Sequence, residues 1–203
     1  MKAIMVFLIA VVMVSAVEAK EKKFKWQGAQ VLIPIAGEVP VIKDKLLVRS
    51  SISYIRIPSD GTEQFYSYMG PKWIVGKWTE KDSFWLSPQM GVAGNRTEDG
   101  SDALILSLWG RVSCLDGRFA LFIETEGYLN SSEQIYYGYY CADYNSPGAV
   151  NVGFHAEQID RNVSIGPHIG ITRDPWRSEL LYFACFQEDN YGHAVRITTG
   201  FSF

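Results

Sequence analysis

Past position 20 this 203-residue chain has no apolar run near the ~18 residues that a membrane-spanning helix requires. Cysteine is scarce: Cys114, Cys141 and Cys185 are odd in number and widely spaced, which excludes a disulfide framework and any paired-cysteine metal motif. One pair among the three stays open, because an exported protein meets an oxidising compartment. Net charge is only −3, too acidic for a nucleic-acid partner. No glycine-rich phosphate loop, clustered His/Cys ligand set or phrase uniting Ser, His and an acid is present. No cofactor, no metal and no enzymatic activity are therefore expected. Helical periodicity is almost missing as well.

The start, MKAIMVFLIAVVMVSAVEAK, carries one Lys, then a continuous apolar stretch, then small residues around Val17-Glu18-Ala19. That order is a secretory signal peptide, too short and wrongly flanked to be a span. Cleavage is expected after Ala19, so residues 1–19 are read as signal peptide and the mature chain as exported. No Cys stands at the junction to take a lipid anchor.

What remains is a series of period-two segments parted by turn clusters such as PSDGTE, GNRTEDGS, NSPG and RDPWRSE. The alternation predicts ten strands, near 45–57, 64–78, 83–93, 102–113, 118–128, 133–143, 148–159, 163–173, 179–188 and 193–203. In NVSIGPHIGITR, Val163, Ile165, Pro167, Ile169 and Ile171 share one face, and Ser164, Gly166, His168, Gly170 and Thr172 the other. The last strand likewise sets Val195, Ile197, Phe201 and Phe203 against Arg196, Thr198, Gly200 and Ser202. Pro71, Pro88 and Pro167 fall inside strands and are read as bulges, since proline cannot donate to a ladder. Residues 20–44 are a lead segment of uncertain structure, and residues 45–203 the barrel domain.

Periodicity alone fits a soluble barrel with its apolar face inward or a membrane barrel with that face outward. Three features favour lipid. The strands match the ~9–11 residues that cross a bilayer when tilted. The polar face is rich in Gly and Ser and also charged, as a crowded lumen is. Aromatic residues, 14% of the chain, gather near strand ends at Tyr54, Trp73, Trp78, Phe84, Tyr128, Tyr144, Phe201 and Phe203. The ending ITTGFSF, with Val195, Ile197, Phe201 and Phe203 at alternate positions, resembles the terminal strand of small bacterial outer-membrane β-barrel proteins. That resemblance spans nearly the whole chain but carries no subfamily motif. It implies an all-β, antiparallel up-and-down transmembrane barrel in a Gram-negative outer membrane. The four terminal residues would then be read by the barrel-assembly machinery. Outer-membrane lipids including lipopolysaccharide are the implied partners, with a monomer favoured. If both termini are periplasmic the strand count is even, so ten strands are expected, with eight or twelve as alternatives. An eleventh strand through Val31, Ile33 and Ile35 is then forbidden by parity.

Facing the lumen, Arg111, Glu124, Glu126, His155, Glu157, His168 and Arg196 are expected to form a paired polar network, because buried charges cannot stand alone. His155 and His168 flank the DRN turn almost symmetrically and are candidate cross-strand neighbours. A metal there would need a third ligand that the sequence does not reveal. The function expected is a structural, adhesive or weak binding role. The alternatives are a narrow porin-like channel and a soluble lipocalin-like carrier of an apolar ligand. A lipid-modifying enzyme, with His193 at the rim, ranks last. Ile169→Arg is expected to block assembly, and His168→Arg to be tolerated better.

Overall fold

The computed structural model describes residues 25–57, 61–95, 103–129, 134–186 and 191–203. Residues 1–19, read above as a signal peptide, lie outside them. Eleven strands form one closed barrel: β1 (Lys25–Ile42), β2 (Leu46–Ile57), β3 (Thr62–Lys77), β4 (Ser83–Asn95), β5 (Ala103–Cys114), β6 (Phe119–Leu129), β7 (Gln134–Asn145), β8 (Val150–Ile159), β9 (Asn162–Arg173), β10 (Trp176–Phe186) and β11 (Tyr191–Ser202). The ends of β2 to β11 fall within three residues of the ten strands expected from periodicity.

The count of ten is corrected to eleven. The lead segment supplies β1, which pairs antiparallel with β2 and parallel with β11. Parity forbids an odd number only if every pair is antiparallel, and one parallel seam removes that condition. Val31, opposite Ile197, and Ile35, opposite Phe201, lie in this seam. Phe203 is fastened to it, donating its N–H to the Ala36 carbonyl at 2.9 Å and accepting from the Glu38 N–H at 3.0 Å. The strand directions put residues 43–45, 78–82, 115–118, 146–149 and 174–175 at the same end as Phe203. All five connections there are short.

The bulge reading of the three prolines is also corrected. Pairing on both sides of Pro71 and Pro88 keeps one register, from Met69↔Met90 to Trp73↔Leu86, which sets the two prolines opposite each other. The ladder opens there without shifting. The Ser87 hydroxyl donates to the Pro71 carbonyl at 2.7 Å, satisfying an acceptor that the open ladder leaves. Around Pro167 the register is likewise constant, from Leu181↔His168 to Ala184↔Ile165. The register shifts in fact lie at Trp26/Gly28, Pro40/Ile42 and Ile74/Gly76.

The strands turn large apolar side chains outward, and β10 carries apolar ones inward as well. Leu104, Leu106 and Leu108 are exposed on β5 while Ile105, Ser107 and Trp109 between them are buried. On β9, Ile169 and Ile171 are exposed and His168 is buried. A water-soluble fold inverts this pattern, since burying apolar surface is its main driving force. The interior mixes apolar clusters, Tyr68 with Trp85, Ile105 and Trp109 among them, with buried polar and charged groups.

Candidate functional site

The lumen is filled by side chains in two blocks. Under β1–β6, Tyr68, Trp85, Ile105 and Trp109 form a buried aromatic cluster, with Phe122 packed on it. Glu38 of β1 accepts from Lys72 at 2.7 Å and Arg49 at 3.2 Å. Those cations lie over the ring faces, Lys72 at 4.7 Å from Trp85 and Arg49 at 4.9 Å from Trp109. Each cation is thereby held by a carboxylate and a π-face at once. Beside them Tyr128 donates to Glu126 at 2.8 Å. Tyr128, expected at the interfacial girdle, points inward because it continues the phase of Phe122, Glu124 and Glu126.

The second block spans β7–β11. Arg196 clamps Glu157 with two bonds of 3.0 Å, donates to Gln30 at 2.9 Å and sits 4.7 Å from the centre of the Phe183 ring. Tyr137 donates to the same carboxylate at 2.8 Å. Next to this clamp, Asp143 receives three groups. His168 Nε2 lies 2.7 Å and Cys141 Sγ 3.3 Å from its Oδ1, while Arg177 donates to Oδ2 at 3.3 Å. Arg177 also donates to Glu179 at 2.5 Å, and Asn151 donates to Glu179 at 2.8 Å.

Two glycines make these reaches possible. Register places Gly153 of β8 between Asp143 and His168, and Gly170 of β9 between Asn151 and Glu179. In each case one whole strand separates the partners, and a missing side chain lets them meet over it. A Cβ at Gly153 would come within 2.1 Å of the Ala142 carbonyl oxygen and 2.7 Å of the His168 ring. Gly153→Ala is therefore expected to cost about 1–3 kcal/mol, the usual range for overpacking. A fall in the urea midpoint of the refolded barrel, larger than that of an outward Gly127→Ala control, checks it; Gly127 has open space at its Cβ.

All seven expected luminal residues lie on the inward face. Glu126, His155, His168 and Arg196 are buried, and Arg111, Glu124 and Glu157 partly so. Arg196 joins Glu157, but His168 joins neither: its partner is Asp143. His155 and His168 are not directly opposed, since His155 faces Gly166 and His168 faces Gly153. Their rings nevertheless lie 5.7 Å apart. Val195, Ile197, Phe201 and Phe203 are outward, with the last two rings stacked at 6.5 Å. His193 is partly buried, its ring 6.3 Å from Tyr182. All three cysteines are free.

Sequence reasoning missed Asp143, Arg177, Glu179, Cys141, Glu38, Arg49 and Lys72. On β10 the reason is plain: Arg177 and Glu179 share the inward face with Leu181, Phe183 and Cys185, so both faces read as apolar. Continuing the inward phase of β7 through Tyr137, Tyr139 and Cys141 would have reached Asp143.

At the Phe203 end the lumen opens into a cavity of about 630 Å³. Its wall carries Lys81, Arg111 and Arg118 against one carboxylate, Asp116, which pairs with Lys81 at 3.6 Å. The rim is shaped by Leu115, Asp116 and Gly117, three successive residues at positive φ. Asp82 holds that turn by accepting from the Asp116 and Gly117 N–H groups at 3.1 and 2.7 Å. Asn145, two residues along the inward face from Asp143, lines the cavity. No protein-family model matches this chain, nor does any curated protein or solved structure.

Proposed function

We propose that this protein is a small membrane-spanning β-barrel of a bacterial outer membrane, with a closed lumen and a structural or weak binding role. One observation carries the reading: large apolar side chains face outward around the barrel, while ionisable ones in the strand bodies, such as Glu38, Asp143, Glu157, Arg177 and Arg196, face inward and pair. Such a surface exceeds by far the apolar patch a soluble monomer tolerates, and lipid is the solvent in which it is stable. An outward belt of Trp73, Trp78, Phe119, Tyr144, Phe201 and Phe203 near the short-turn end suits a membrane–water interface. Short connections at that end match the periplasmic side of such barrels. Lipids, lipopolysaccharide among them, are the partners this surface would meet, and the Phe203 strand is the segment that assembly machinery would recognise.

Plugging follows from the two blocks of side chains, because Trp85, Trp109, Tyr68 and the Arg196–Glu157 clamp occupy the middle of the lumen. A binding role would use the cationic mouth. Fractionation tests the location: the protein is expected in the membrane pellet, released only by detergent. Recovery in the soluble fraction would overturn the reading. In planar bilayers the refolded barrel is expected to show no steady conductance, and sustained open-channel current would restore the porin-like alternative.

A further inference from the structure

We propose that Cys141, Asp143, His168 and His155 form a binding site for a zinc-type divalent metal ion inside the barrel. The donor atoms Cys141 Sγ, an Asp143 carboxylate oxygen and a His168 ring nitrogen all lie within 4.8 Å of one another, and all three residues are buried. Both the thiol and His168 Nε2 converge on the same oxygen, Asp143 Oδ1, at 3.3 and 2.7 Å. Tetrahedral zinc with bonds of ~2.0–2.3 Å sets its donors about 3.3–3.7 Å apart. The spacings from Asp143 Oδ1 already stand near that range. The mix of one thiolate, one carboxylate and imidazole is the donor chemistry zinc takes.

His155 supplies an independent observation. Its residue is 3% exposed, and among the described residues neither ring nitrogen has a hydrogen-bond partner. An imidazole buried without partners costs free energy that a bound ligand would recover. It stands beside Cys141 in the β7–β8 register, and Tyr139 and Phe183 fix its plane, with ring centres 6.3 and 4.3 Å away. Its centre lies 5.7 Å from that of His168. Two imidazoles on one tetrahedral zinc stand about 5 Å apart by the same bond lengths.

Charge is accommodated too. Arg177 touches Asp143 through Oδ2, not Oδ1, and keeps its shorter bond to Glu179 when Oδ1 turns to the metal. Binding replaces the thiol proton, which leaves to solvent as the thiolate–metal bond forms; both histidines bind as neutral rings.

The test titrates the refolded, reduced full chain with Zn2+ and Co2+. One equivalent is expected to bind, with Co2+ giving a tetrahedral visible spectrum and a thiolate charge-transfer band. Cys141→Ser should abolish that band, whereas Cys114→Ser and Cys185→Ser should keep it. His155→Phe, which retains the packing between Tyr139 and Phe183, should weaken Zn2+ at least tenfold while leaving the barrel folded. A folded wild type that binds no metal, a band surviving Cys141→Ser, or unchanged affinity in His155→Phe would each overturn the site as described. The membrane reading is untouched by any of these results.

Discussion

Ile169→Arg is expected to leave the protein out of the membrane. Ile169 sits in the body of β9 with 53% of its surface exposed, on the outward face between Pro167 and Ile171. An arginine facing lipid costs ~2–4 kcal/mol near the bilayer midplane, a large share of a barrel's marginal stability. The measurement is the fraction of protein resisting extraction from membranes, together with the gel-mobility shift of folded barrels. The inward comparison must be chosen from the structure. His168→Arg, which sequence reasoning expected to be tolerated better, is now expected to fail as well. The His168 side chain is only 1% exposed and is wedged over Gly153 against Asp143. Ser83→Arg is the suitable control, because Ser83 lines the open cavity and a long side chain has room there. Equal assembly of Ile169→Arg and Ser83→Arg would refute the lipid-facing assignment.

Glu157→Gln is expected to destabilise the barrel by about 3–5 kcal/mol, the cost of removing one partner from a buried ion pair. Arg196 and Glu157 are only 8% and 11% exposed, and they meet by two charge-assisted bonds. With the carboxylate gone, Gln30 offers the guanidinium a neutral acceptor only. The Tyr137 hydroxyl, which donated to the carboxylate, can still use the Gln amide oxygen. The loss therefore combines the missing charge with one missing acceptor for Arg196, since the amide NH2 cannot accept from the guanidinium. A lowered urea midpoint in Glu157→Gln, partly restored by the double substitution Glu157→Gln with Arg196→Met, is the expected pattern. An apolar side chain of similar length leaves no charge to compensate. A midpoint unchanged in the single variant would mean that water, not Glu157, satisfies Arg196.

Strand existence was legible because period-two alternation is local: each residue's face depends only on its neighbours in the same strand. For this reason His155, His168, Glu157 and Arg196 were placed on the inward face from sequence, and Ile169 and Phe201 on the outward one. Partners were not legible, because they are set laterally. Asp143 meets His168 across β8, and Asn151 meets Glu179 across β9, and each contact exists through a glycine whose importance shows only when three strands lie in register. Strand number had the same origin of error. Val31, Ile33 and Ile35 were visible as a candidate strand, but the pairing direction of β1 with β11 is a property of chain ends 166 residues apart. By itself the sequence determined which residues alternate and where the turns fall, since backbone sterics and side-chain period act within a few residues. Only the tertiary structure decided the parallel seam, the eleventh strand and the Asp143 cluster, since closing a barrel brings together groups that no local rule connects.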